Sequence, residues 1–368
     1  MRVLIMAGRS FASRERRMLQ RLEVGLADEG IRVVHAIPRG SDIALDPDVF
    51  AQATLYDAGG LPITRAIRAR RLVEELESLP RGSRENAVDI VHAFGEAWHM
   101  AAEVARIASC AIAVDFWSLA LARRAAAIRA ATHHLPGVVF LAPNDALERA
   151  VRRDADGISV RVTPWGVHCP PSAREVLPPG KAPAITISAA GVDRGSLVAA
   201  LEGLAKLAKK RPDVMVFLDA HAARKANVWP TVRALGLEKQ LSLTPLLEGK
   251  RELALRTDML LLPEAPGEFK SIVLDAMATG LPVIAASDPM VTCLHDRRNA
   301  LLVGGPDPDL WADAVGELLD NVELARSLAA AAREHIRKDH RVSSHIATVI
   351  DAYEWMTAGD ALRLPTGS

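Results

Sequence analysis

Glu268, Lys270, Ser271 and Asp275 fall close together in one apolar stretch, LLPEAPGEFKSIVLDAMATGLPVIAA, which runs from Leu261 to Ala286. The residue order predicts a strand ending at Pro263 and an acidic loop containing Gly267. A helix follows from Lys270–Ser271 to Gly280, and a second strand begins after Pro282. A helix that opens at the carboxyl edge of a parallel sheet turns unpaired N–H groups toward that edge, and its dipole favours an anion there. Ser271 adds a hydroxyl donor and Lys270 a positive charge. Asp275 follows Ser271 by one helical turn, on the same face, where a carboxylate can accept from sugar hydroxyls. Each side chain also has a plain structural use, as a loop acid, a surface cation or a solvated helical carboxylate.

Other chemistries are excluded by their missing motifs. The loop after the first apolar run reads AGRSFAS, with one glycine, so the dinucleotide fingerprint GxGxxG is absent. No Walker A, HExxH or GxSxG sequence occurs. Cys110, Cys169 and Cys293 are the only cysteines; they are widely spaced, form no CxxC pair, and suit a reducing compartment.

The elements that must position these residues alternate. Arg2–Met6 reads as a strand, Met18–Leu26 has helical spacing, Gly30 stands at a helix C-cap, and Ile31–Ile37 is the next strand. Such a strand–helix–strand unit is the mark of a parallel sheet. Further apolar runs follow at Val88–Phe94, Cys110–Val114 and Val138–Leu141. Five prolines between Pro170 and Pro183 forbid a continuing helix or central strand, so 169–183 is read as a linker. The pattern then restarts with strands at Ile185–Ser188, Val214–Leu218, Leu241–Leu243, Met259–Leu262 and Val283–Ala286. Helices are expected at Ser196–Lys210, Thr231–Leu235 and, last, Ser343–Met356. The fold class is therefore α/β, with two doubly wound Rossmann-like parallel-sheet domains.

The 368 residues contain 45 basic and 45 acidic side chains, so no bulk attraction to nucleic acid is available. No apolar run approaches the roughly 18 residues of a membrane span, and the N-terminus lacks a secretory signal. A soluble, cytoplasmic protein is expected. Arg14–Arg17 and Arg65–Arg71 form basic helical faces, either solvated or in peripheral contact with the inner face of a membrane. His92, in an apolar strand, reads as a core histidine, and Trp165 as packing at the hinge. Asp115, at a strand end, suits either acceptor contact or helix capping.

LDAMATGLPVIA resembles the LEAMAxGxPVV signature of the family 4 glycosyltransferases, which have the GT-B fold. The resemblance extends over most of the second half, through TPWGVH, RGSLVAALEGLAKLAKKRPDVMVFL, ALRTDMLLLPE, HDRRNALLVGGPDP and the closing HIATVIDAYEWM. In the first half it rests on RVLIMAG, GLADEGIRV and VDIVHAF.

The resemblance implies a GT-B fold whose two domains face a cleft. It divides the chain into an acceptor-side domain (1–168), a hinge (169–183), a donor-nucleotide domain (184–342), and a helix with a tail crossing back to the first domain (343–368). It implies transfer of a sugar from a nucleoside-diphosphate sugar to a glycan, lipid or small-molecule acceptor, with retention of configuration and with no metal or other cofactor. Arg194, Lys270 and Ser271 would bind the diphosphate, with Gly195 and Phe269 also among the donor-binding residues. Asp275 would take the ribose, Glu268 the donor sugar, Asp115 the acceptor side, and Leu246 and Leu247 the nucleobase.

The sequence departs from the family at several points. The second acid of the family's Glu-x7-Glu pair is Asp275, one methylene shorter, and the first falls at Gly267, with Glu268 displaced by one residue. The family's diphosphate arginine falls at Ala189, with Arg194 where its lysine would be, and its histidine falls at Val114. The glycine-rich loop reads SRERR. A GT-B chain that has lost turnover and serves as a binding or partner subunit is the alternative these changes raise. A GT-B epimerase or phosphorylase would share LDAMATGLPV, but their own lysine, acidic and histidine signatures are not visible.

Overall fold

The computed structural model describes residues 1–41, 50–59, 62–78, 87–155, 157–245, 247 and 251–358. The chain divides into two compact units, 1–166 with 342–368, and 167–341.

In the first unit, β1 (Arg2–Ala7) leads through α1 (Arg9–Arg14) and α2 (Arg16–Asp28) to β2 (Arg32–Pro38) and β3 (Ala53–Tyr56). Next come α3 (Pro62–Ser78), β4 (Ile90–Phe94), α4 (Trp98–Ala108), β5 (Ala111–Asp115), α5 (Leu119–Ala122) and α6 (Ala125–Thr132). The set closes with β6 (Val138–Ala142), α7 (Asp145–Asp154) and β7 (Val160–Val162). The sheet is parallel, in the order β3-β2-β1-β4-β5-β6-β7. Val3 pairs with Val33 on one side and Ile90 on the other. Every residue of β1, β4 and β5 is buried, which is why they read as continuous apolar runs rather than alternating ones. Gly30 ends α2 at φ 76°, with the N–H of Ile31 reaching the carbonyl of Leu26, a geometry that glycine enters without strain.

The second unit holds β8 (Ala184–Ile187), α8 (Arg194–Lys210), β9 (Met215–Asp219), α9 (Ala220–Lys225), α10 (Trp229–Ala234) and β10 (Leu241–Thr244). It continues with β11 (Met259–Leu262), α11 (Ser271–Thr279), β12 (Val283–Ala286), β13 (Leu301–Val303), α12 (Pro308–Asp320) and α13 (Val322–Asp339). Its parallel sheet runs β10-β9-β8-β11-β12-β13. The core below it is built from Ile185, Ile187, Leu218, Leu261 and Ile284, with Trp311 and Val315 of α12.

The proline-rich stretch read as a linker is strapped to this unit. The Arg333 guanidinium donates to the carbonyls of Pro170, Pro171 and Ser172, and also to that of Ala278 at 3.0 Å. Arg174 reaches the carbonyls of Leu255 and Arg256 and the carboxylate of Asp258. Prolines offer carbonyls but no N–H, so arginine donors rather than a sheet ladder hold this segment.

The last helix, α14 (Val342–Thr357), packs on α2, β5 and β6 of the first unit. Its Tyr353 hydroxyl lies 2.7 Å from Nδ1 of His92. His92 is interior, as expected, and burial pushes its pKa down to about 3, so the ring is neutral. Among the described residues, no helix is long and apolar enough to cross a membrane.

Candidate functional site

In the second sheet the connections leave β8 and β11 toward opposite sides, which opens a crevice at their carboxyl ends. The turn after β8 is fixed from across that point. Glu264, next to the end of β11, accepts the N–H of Ala190 at 2.6 Å and that of Asp193 at 2.8 Å. Gly191 sits inside this turn at φ 68°, where a Cβ would run into the carbonyl of Ala222. Asp193 then caps α8 through the N–H and hydroxyl of Ser196, and these bonds hold its carboxyl below the usual range. Arg194 and Gly195, in the first turn of α8, are exposed, and Arg194 reaches the hydroxyl of Thr231 at 3.3 Å.

The loop after β11 carries the other half. Gly267 has φ 72° and donates its N–H to Asp288 at 2.7 Å. The position that carries an acid in the family signature is thus a left-handed turn tied down by its own amide. Glu268, half-buried, lines a shallow, solvent-open pocket together with Glu264, Lys270, Asp288, Leu262 and Ala285. Phe269 is fully buried and stacks on His340 at 6.4 Å. Its ring is part of the core, so only its backbone could meet a donor.

Lys270 is the N-cap of α11, with no side-chain cap bond, and is 7% exposed. From Ser271 to Ala278 every residue of this helix is buried, and Gly280 closes it at φ 77° with the N–H of Leu281 on the carbonyl of Ala276. A helix buried all round that carries a serine and an aspartate needs a polar partner. Arg251 supplies it: its Nη1 donates to the Ser271 hydroxyl at 3.0 Å and to the Asp275 carboxylate. Sequence reading singled out neither Arg251 nor Glu264. The available signal was the lone carboxylate in LDAMA, which demands a buried cation somewhere else in the chain.

On the nucleobase side, Leu247 is 2% exposed and donates its N–H to Asp219 at 2.9 Å. Leu246 lies outside the described residues.

In the first unit, Asp115 ends β5 and is 1% exposed. Its Oδ2 accepts from the Trp165 indole N–H at 3.4 Å, and its Oδ1 has no hydrogen-bond partner among the described residues. Burial pushes its pKa up to about 8, the Trp165 bond opposing that shift. As placed, it is an interior acid rather than a surface group meeting an acceptor, because Trp165, itself fully buried, lies against it. The cap of α5 is provided instead by Ser118. Among the described residues no cluster of three or more His, Cys, Asp or Glu is placed to hold a metal ion.

Comparison with known proteins bears on this site directly. Residues 197–321 match the family model described as Glycosyl transferases group 1. The chain is 30% identical over 116 residues to the D-inositol 3-phosphate glycosyltransferase of Corynebacterium urealyticum, covering 30% of this chain and 27% of that protein. It is 28% identical over 217 residues to that of Streptomyces griseus, covering 50% and 46%. The chain thus spans less than half the length of these curated relatives. Among solved structures, Anabaena HepE in complex with UDP and glucose superposes with a TM-score of 0.73 at 13% identity, over 95% of this chain and 98% of that one. The chain has the GT-B fold and is similar to the family 4 glycosyltransferases, with a glycosyl transferases group 1 domain over residues 197–321.

Proposed function

We propose that this chain is a glycosyltransferase that takes a nucleoside-diphosphate sugar at the carboxyl edge of its second sheet and passes the sugar to an acceptor. The observation that carries the reading is the N-terminus of α11, which opens at the switch point of the sheet with Lys270 as its cap and Ser271 in its first turn. The chemical problem is a departing diphosphate whose charge grows in the transition state. Lys270, the Ser271 hydroxyl, the helix amides and Arg194 are the groups suited to stabilise that charge. They supply what a metal ion supplies in other transferases, and metal-independent transfer with retention follows from the family resemblance. Glu268 is assigned to the sugar hydroxyls, Asp275 to the ribose, and Leu246 and Leu247 to the base. HepE, crystallised with UDP and glucose, supports the donor class.

The test is calorimetric titration of the purified chain with UDP, GDP and ADP, repeated on Arg194→Ala and Lys270→Ala. Micromolar binding of one nucleotide, weakened in both variants, is the expected result and names the donor. No binding of any nucleotide by the intact chain would overturn the assignment and favour a chain without turnover.

A further inference from the structure

Two large apolar side chains stand out in solvent on neighbouring turns of α3: Ile63 is 78% exposed and Ile67 51%. Single exposed apolar residues are ordinary on a protein surface. Among the described residues the others, such as Val24 of α2 and Leu310 of α12, each stand alone on their element. The inward face of α3 is already filled by Ala69, Leu72, Val73 and Leu76, so the two isoleucines take no part in the core. Arg70 and Arg71 follow Ile67 by one turn on the same outward face. Both are exposed, and neither makes a hydrogen bond or ion pair with a described residue. Arg65 and Arg68, half-buried, add to the same end of the helix, with Arg68 donating to the carbonyl of Gly59.

The order of charge along α3 is not that of a helix stabilising itself. From Ile63 to Val73 the only charged residues are these four arginines, and Glu74, Glu75 and Glu77 occupy the last turns. A helix dipole favours the reverse, acids first and bases last. Arg124, the exposed N-cap of α6, converges with Arg65 on His99 of α4. Burial, then these two arginines, holds the His99 pKa down at about 4, so its ring is neutral. The patch thus presents positive charge beside two uncovered isoleucines. We propose that α3 from Ile63 to Arg71 docks on a bilayer of anionic lipids, its arginines meeting headgroup phosphates while Ile63 and Ile67 enter the boundary with the acyl chains. An RNA or an acidic protein would satisfy the arginines alone, whereas a bilayer also buries the isoleucines. The inference concerns the first unit and is independent of the donor-site reading.

The test is sedimentation of the full chain with sucrose-loaded vesicles, either of phosphatidylcholine alone or with about one-third phosphatidylglycerol. Binding to the anionic vesicles and not to the neutral ones is expected. The lipid concentration for half-binding should rise about tenfold or more when Arg70→Glu and Arg71→Glu are combined, and by a similar factor when Ile63→Ser and Ile67→Ser are combined. All four side chains are exposed, so both double variants should melt as the parent does, and Val24→Ser on α2 should bind vesicles as the parent does. Loss in the arginine variant with none in the isoleucine variant would show that the patch meets any polyanion, an RNA or an acidic protein among them, and would overturn the proposal. Unchanged binding in both double variants would place the contact elsewhere and overturn it too. So would a failure of the intact chain to bind the anionic vesicles.

Discussion

The Glu264 carboxylate accepts the backbone N–H of Asp193 at 2.8 Å, tying the end of β11 to the turn that starts α8. Its second oxygen takes the N–H of Ala190, and the residue is 7% exposed. Hydrogen bonds to a buried charged acceptor are the stronger kind, and removing the acceptor leaves two amides unpaired. Glu264→Ala should therefore cost about 2–4 kcal/mol, and Glu264→Gln, which keeps one acceptor, about half of that. Urea unfolding of the two variants checks both values. A loss below about 0.5 kcal/mol in the alanine variant would show that the turn holds itself.

Gly267 makes the departure from the family's acid pair hard to reverse. Any side chain there must adopt φ 72°, at a cost of about 1–2 kcal/mol for an L-residue. Gly267→Glu should lower the melting temperature and leave nucleotide affinity and sugar transfer unimproved. A rise in transfer would show that the loop rearranges readily and that glycine is a dispensable change.

What could be read from the sequence follows from burial. The central strands β1, β4 and β5 are covered on both faces, so they appear as apolar runs such as RVLIM. Three strands escaped notice: β3 (ATLY), β7 (VRV) and β13 (LLV). All three sit at sheet edges, and they are only three or four residues long. α11 was legible because Gly280 and Pro282 are local signals of where it ends and the next strand begins. The side chains that organise the site were not. Glu264 meets Asp193 across 71 residues, Arg251 meets Asp275 across 24, and Asp288 meets Gly267 across 21. Pairings of that kind are set by the strand order, which no spacing rule reports. The interior position of Asp115 was likewise invisible, since an aspartate at a strand end looks the same in sequence whether it is covered or open.

The Arg251–Asp275 pair lends itself to a double-mutant cycle. Removing one partner of a buried ion pair leaves an uncompensated charge, so Arg251→Leu and Asp275→Leu should each cost about 3–5 kcal/mol. The double variant should cost less than the sum of the two, because no charge is then stranded. Chemical unfolding of the four proteins gives the coupling. Additive losses would mean that the two side chains act independently in stabilising the fold.

Asp115 should leave a signature in the pH dependence of stability. Its pKa is pushed up to about 8 in the folded chain, against about 3.9 in an unfolded one. Between those values the unfolded chain releases a proton that the folded chain keeps. Stability therefore falls as pH rises through this window and is flat above it. His92, held neutral by burial with a pKa of about 3, acts in the opposite sense, its contribution falling as pH drops below about 6.5. A comparison of Asp115→Asn with the parent cancels the histidine, which both proteins share. The asparagine can still accept from Trp165 but has no charge to bury. Its stability relative to the parent should rise steadily from about pH 5 to about pH 8 and then hold constant. Urea midpoints at several pH values measure the difference. A gap that does not change with pH would show that Asp115 ionises normally in the folded protein, which would require water or another polar group at its Oδ1.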